Sequence, residues 1–336
     1  MFINSRRHIR VLSIFVCLFC LQLSLIAQDY DDYLLKAKQR LAEGDCTRAE
    51  QDYNIYKELT HKSDVNIEKK IMDCFSKKES ILLDLDGEFD ALEDMPPDIT
   101  IYVNGVSFVM KAIEGGSFMM GCVGCDPDEP DKDERNVHSV ILDGYYLGET
   151  EVTQALWTAV MGKNPSHFKG EQLPVESISW NDCQEFIARL NQLTGRSFRL
   201  PTEAEWEYAS RGGQMSFGYF FSGSDNANAV AIFDVNSFNK GRQDPDYGSH
   251  RVKSKKSNEI GLYDMSGNVW EWCNDWYDDY PTSSQTNPTG PSKGMFKVIR
   301  GGSWMYDKWY SRVSNRYKYL PIVKKSDCGF RLALSR

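Results

Sequence analysis

The residues best suited to chemistry in this 336-residue chain are its nine cysteines and a dense aromatic run near the C terminus. Cys17 and Cys20 lie in an apolar N-terminal segment, leaving Cys46, Cys74, Cys122, Cys125, Cys183, Cys273 and Cys328. Seven is odd, so at least one thiol is free or pairs outside the chain. Cys122-Val123-Gly124-Cys125 is a C-x-x-C without a second copy to complete a tetrahedral zinc site, and a local disulfide that tightens a loop is expected there. The five histidines are not spaced as ligands. The stretch from Arg300 to Arg336 remains. It opens with Arg300-Gly301-Gly302-Ser303-Trp304 and closes with Gly329-Phe330-Arg331-Leu332, with Tyr306, Trp309, Tyr310, Tyr317 and Tyr319 between. Adjacent glycines permit close backbone approaches, and clustered Trp and Tyr with Arg suit a contact surface because rigid rings lose little entropy on binding. About half of these rings are expected to be core.

The elements that must position this stretch are short. Residues 29–80 show helical periodicity, and Leu41-Ala42-Glu43-Gly44-Asp45 followed by Ala49, Tyr53 and Tyr56 resembles a tetratricopeptide-type hairpin. One such unit cannot bury its own apolar face, so it should dock elsewhere, with an envelope assembly as one destination. An acidic connector over residues 81–98 ends in Pro96-Pro97 and marks a domain boundary. Beyond it, Asn104-Gly105 predicts a hairpin, Val137–Leu147 a strand and Thr153–Met161 a helix stopped by Gly162. A second helix runs from Trp180 to Leu193, capped by Asn181 or Asp182, and Thr202 with Glu205 forms a capping box for a third. From Gly212 to Asn258 the chain is loop-rich.

Residues 1–27 read as an export signal, with Arg6, Arg7 and Arg10 before an apolar run and cleavage after Ala27. An uncleaved anchor is the alternative. The net charge of −9 becomes −12 on cleavage, and an acidic chain without long Lys/Arg blocks argues against nucleic acid as a partner.

Seven motifs in order carry a family resemblance. They are Gly115-Gly116-Ser117-Phe118-Met119-Met120-Gly121, Glu151-Val152-Thr153-Gln154, Leu173-Pro174-Val175 with Trp180-Asn181-Asp182, Arg199 to Ala209, Gly261 to Trp272, Arg300 to Trp304 and Gly329 to Leu332. Together they resemble the sulfatase-modifying factor family, which includes the formylglycine-generating enzymes, over residues 99–336. The resemblance implies an α+β fold, an irregular and loop-rich C-type-lectin-like domain, preceded here by the helical hairpin.

It also implies where chemistry would reside. The enzymes hold copper through two cysteines after the Gly-Gly-Ser motif, and soft thiolates suit that metal. The matching positions here are Tyr306 and Ser311, so no copper chemistry is expected. The iron-binding three-histidine pattern of another branch is also missing. A disulfide of the eukaryotic-type enzymes maps to Ile187 and Leu332, implying an apolar contact instead. The family's calcium loop is kept: the carbonyls of Ser266, Gly267 and Val269 and the carboxylate of Glu271 are the implied ligands, with hydrogen bonding and an Arg partner for Glu271 as the alternative. The acidic loop Asp126–Glu134 reads as a solvated charge run.

Function does not follow from fold. The residues favour a non-catalytic binding module for a protein or peptide, with Trp272, Ser303, Trp304, Tyr306, Trp309 and Tyr310 forming the face. The pattern of Arg-Gly-Gly-Ser-Trp, an aromatic middle and Gly-Phe-Arg-Leu is also similar to ligand-displaying proteins diversified by retroelements. An oxidoreductase with atypical ligands and a structural envelope component are the alternatives.

Overall fold

The computed structural model describes residues 97–122 and 132–336, together with Arg40, Tyr53, Ile67, Lys69 and Lys70. The chain divides into two compact units, Met1–Asp94 and Met95–Arg336. In the first, the five described positions are helical, with Tyr53 and Ile67 buried. The signal, the rest of the hairpin and the connector as far as residue 96 lie outside the described residues.

The second unit is a mixed α+β domain built on three small sheets. Strands β1 (Ile99–Val103), β2 (Val106–Ile113), β5 (Tyr145–Gly148), β12 (Ala333–Ser335) and β6 (Phe198–Arg199) form one sheet in that spatial order. A second sheet runs β3 (Gly116–Met120), β4 (His138–Leu142), β8 (Gln285–Thr286). The third, which carries the site, runs β10 (Arg316–Tyr319), β9 (Lys297–Arg300), β7 (Trp270–Trp276), β11 (Cys328–Gly329). Among the described residues four helices pack around them: α1 (Gln154–Met161), α2 (Trp180–Thr194), α3 (Glu203–Ser210) and the single turn α4 (Ala227–Val230).

Local rules account for most boundaries. Asn104 at φ 44° and Gly105 at φ 83° turn the β1–β2 hairpin as the dipeptide predicts. Thr153 caps α1, and Gly162 ends it in the left-handed region at φ 77°. Thr202 and Glu205 form the predicted capping box of α3. Two expectations are corrected. The cap of α2 is Ser179, two or three residues before the expected Asn181 or Asp182, and Asp182 is its reciprocal partner in a capping box. The strand over Val137–Leu147 is two strands in different sheets, because Asp143-Gly144 turns the chain between β4 and β5. The loop-rich stretch after Gly212 holds only α4 and three short 3-10 turns.

The main core joins α1 and α2 to β7, β9 and the C-terminal strands. Phe186 of α2 stacks on Trp157 of α1 at 5.1 Å and meets Phe330 edge-on at 5.4 Å. Ile187 and Leu332 are both buried in this cluster. Cys122 is disulfide-bonded, and Cys125 lies outside the described residues.

Candidate contact site

Strand periodicity builds the site. In β10, Tyr317 and Tyr319 face one side of the sheet, while Arg316 and Lys318 face the other, where both lie over the ring of Tyr277. In β7, Trp270 and Trp272 share the side of the two tyrosines. The segment from Ser303 to Ser311 folds back over this aromatic layer, with Asp307 capping the 3-10 turn Lys308–Ser311 through the Trp309 N–H at 2.9 Å.

The outcome is a closed ring of tyrosines above Trp270. Tyr306 meets Tyr310 at 5.2 Å, Tyr310 meets Tyr317 at 6.4 Å, Tyr317 meets Tyr319 at 5.7 Å, and the Tyr319 and Tyr306 hydroxyls close the circuit at 3.5 Å. Three of the four also contact Trp270, whose indole is wholly buried and whose Nε1 has no protein acceptor. Edge-to-face pairs of this kind contribute about 0.5–1.5 kcal/mol each beyond area burial. The face is therefore rigid before any partner arrives.

The predicted face residues separate into two groups. Tyr306 and Tyr310 line the ring, and Trp309 stands beside it with half its surface exposed. Trp272 and Ser303 are fully buried beneath, the Trp272 indole donating to the Ile178 carbonyl at 3.3 Å and the Ser303 hydroxyl to Asp327 at 3.1 Å. Trp304 is corrected from surface to core: it packs against Phe168, Tyr247 and Phe238, and donates to the Ser326 carbonyl. Trp270, Tyr317 and Tyr319 complete the ring but were missing from the predicted face. The i, i+2 spacing of Trp270 with Trp272 and of Tyr317 with Tyr319 is the signal that could have found them.

At the two positions implied for copper, Tyr306 joins the ring and Ser311 is buried with a hydroxyl that finds no partner. The three described free thiols offer no substitute. Cys183, Cys273 and Cys328 are buried, and burial pushes each thiol well above its ordinary range, so none is a thiolate near neutral pH.

Behind the face, buried ion pairs fix the returning chain. Arg300 donates to Glu207 and to the carbonyls of Ser314 and Asn315. Arg316 grips Glu203 with bonds of 2.8 and 2.7 Å, and Arg312 grips Glu134 at 3.0 and 2.9 Å. Nearby, burial and then Glu203 push the Asp275 carboxyl up to about 8. A carboxyl raised in the folded state retains a proton that the unfolded chain has released, so its contribution declines as pH rises from about 4 through about 8. The melting temperature is expected to fall between pH 5 and pH 8, and Asp275→Asn to flatten that fall; a scan of melting temperature against pH checks both.

The loop for which the resemblance implies calcium has a mixed electrostatic setting. The Glu271 carboxylate accepts from Arg331 Nε and Nη2, both at 2.6 Å, and from Trp206 Nε1 at 2.7 Å. A carboxylate offers about four lone-pair directions, so one remains. Around the same guanidinium lie Glu151 and Asp264, both buried. Burial comes first among the causes that raise Glu151 well above its usual range and Asp264 to about 6, and Glu271 raises each further. Asp264, absent from the predicted ligand set, accepts from the Lys253 N–H at 2.8 Å. The three carboxyls share one guanidinium, and burial with mutual repulsion favours keeping a proton on Glu151 and, below about pH 6, on Asp264. Among the described residues no group of three His, Cys, Asp or Glu side chains is placed to hold a metal. Backbone carbonyls would have to supply most of the ligands, as a calcium loop allows.

These features define the class. Residues 107–336 match the sulfatase-modifying factor enzyme 1-like domain, and the chain belongs to that family. Among its relatives, the chaperone protein LppX of Paenibacillus barcinonensis is 31% identical over 274 residues, covering 69% of this chain and 91% of that one. The formylglycine-generating enzyme of Streptomyces coelicolor is 36% identical over 172 residues, covering 48% of this chain and 52% of the enzyme. Of solved structures, Treponema denticola variable protein 1 is 34% identical with a TM-score of 0.63, covering 72% of this chain and all of that one. The match thus spans most of two of these relatives but about half of the enzyme.

Proposed function

We propose that this domain is a non-catalytic contact module of an exported protein, with the tyrosine ring and Trp309 as its binding face. The observation that supports it best is the occupation of the two copper positions by Tyr306, built into an aromatic ring, and by the buried Ser311. Similarity over the full length of a protein named a variable protein accords with a ligand-facing role for this segment.

Two measurements test the reading. A Cys-x-Pro-x-Arg peptide incubated with the protein, copper and oxygen should yield no aldehyde; turnover would restore the oxidoreductase reading. Trp309→Ala should leave the melting temperature within about 2 °C of the parent, because surface substitutions cost about 0.5 kcal/mol or less, while reducing partner capture. Tyr310→Ala should lower both, since that ring packs against Trp270, Tyr306 and Tyr317. Export is tested by N-terminal sequencing, with Gln28 expected first.

Calcium is proposed as structural support at the loop of Ser266, Gly267, Val269 and Glu271, with Asp264 as a further carboxylate. When bound, the ion would favour the ionised forms of Asp264 and Glu151, which burial disfavours. Adding calcium to chelator-stripped protein at about 100 times its dissociation constant should stabilise by about 2.7 kcal/mol. For a domain of this size, that raises the melting temperature by about 5–10 °C. Asp264→Asn should remove most of the rise.

A further inference from the structure

The third sheet ends at β10, which has β9 on one side and, among the described residues, no strand on the other. Tyr317 and Lys318 are exposed, as is Leu320 just beyond. An exposed edge is a row of backbone donors and acceptors ready to pair with another strand. The lysines around this edge share an unusual feature. Lys318 Nζ lies 3.9 Å from the Tyr277 ring centroid, Lys325 Nζ lies 4.6 Å from that of Tyr319, and Lys308 Nζ lies 5.4 Å from that of Trp309. None of the three has a carboxylate within ion-pair distance among the described residues, whereas their neighbour Lys324 is bridged to Asp182 at 2.7 Å. On a chain of net charge −9, this edge gathers three lysines that make no direct ion pair, with Asp327 in electrostatic reach of Lys325.

We propose that the free edge of β10 receives an extended acidic peptide, which pairs with the backbone of Tyr317–Tyr319 and directs carboxylates at Lys318 and Lys325. The inference rests on reading this surface as a contact face. Two features select the partner. Edge pairing supplies affinity through main-chain hydrogen bonds, and side chains on the added strand alternate between the two faces. On one face they meet Lys318; on the other they meet the tyrosine ring and Lys325. Charge selects the sign of the partner. A second copy of this chain pairing antiparallel through the same edge would crowd its lysines against these, and like charges directly opposite one another destabilise a strand pair. Pro321 stops the edge after four residues, which limits the contact to a short segment.

The test uses the full chain and a fluorescent peptide of about ten residues, the upper end of usual strand lengths, built from Glu-Glu-Val-Val repeats so that each strand face carries both Glu and Val. Comparators are the same peptide with Lys for Glu and one N-methylated at every residue, which blocks both edges of the strand. The Glu peptide should bind, the Lys peptide should not, and N-methylation should abolish binding because it removes the pairing donors. Lys318→Glu should weaken binding by at least about tenfold, as should Lys325→Glu, mainly through a slower on-rate and a weaker salt dependence, because both lysines are exposed. Amide hydrogen exchange at Tyr317–Tyr319 should slow in the complex. Equal binding of the Lys or N-methylated peptide, indifference to both lysine variants, or no binding at millimolar peptide would overturn the proposal. These failures differ from failure of the contact-face reading itself, which would appear as copper-dependent aldehyde formation.

Discussion

Replacing Arg331 with Met is expected to destabilise the domain by about 3–5 kcal/mol, the range for removing one partner of a buried ion pair. Arg331 is wholly buried, and its guanidinium does more than hold Glu271. Nη1 donates to the Gly148 carbonyl at 2.9 Å and Nη2 to the Tyr263 carbonyl at 3.0 Å, so a single side chain ties β5, the Gly261–Trp272 loop and β7 together. Met fills much of the volume but leaves Glu271, Glu151 and Asp264 without their nearest cation. Lys is not a substitute, because a point charge cannot reproduce the two parallel bonds to Glu271. Denaturant midpoints should therefore rank wild type above Arg331→Lys and Arg331→Met lowest. The double variant Arg331→Met/Glu271→Gln should recover part of the loss, since it removes one stranded charge. Equal stability of Arg331→Met and wild type would show that calcium or solvent, not Arg331, compensates this cluster.

The same cluster shows what the sequence could and could not reveal. Motif order and capping signals were readable because they depend on local residue types: Asn104-Gly105, Thr202 with Glu205, and Gly162 acted as short-range rules predict. The alternative reading of Glu271, an arginine partner, was visible, but that partner lies sixty residues away in the chain and no local rule identifies Arg331. Asp264 and Glu151 escaped for the same reason; their significance is mutual and appears only when the chain folds. The aromatic face was half legible. Tyr306 and Tyr310 could be picked out by their place in the motif. Trp304, one residue past the Gly-Gly-Ser motif, could not be assigned to surface or core without knowing that Phe168 and Tyr247 close over it.

Gly267→Ala is expected to be nearly as damaging as the loss of Arg331, for a reason of space rather than charge. Gly267 has φ 78°, a conformation that costs an L residue about 1–2 kcal/mol. Its backbone also lies against Ile232 in a parallel bridge, and an added Cβ would sit 2.0 Å from the Ile232 carbonyl oxygen. That oxygen accepts the Asn268 N–H at 2.8 Å, while the Gly267 N–H donates to the Gly301 carbonyl at 2.6 Å. Backbone atoms cannot swing aside as a flexible side chain would, so both bonds must lengthen and the loop must lift. Overpacking adds about 1–3 kcal/mol to the conformational cost. Gly162→Ala is the control: its φ is 77°, but nothing lies within 4 Å of the added Cβ, so it should show the conformational cost alone. The difference between the two melting temperatures isolates the steric part. Repeating the pair with calcium then separates the loop's geometry from its charge. Gly267→Ala should lose the calcium-dependent rise proposed above because the Gly267 and Val269 carbonyls shift, whereas Gly162→Ala should retain it in full.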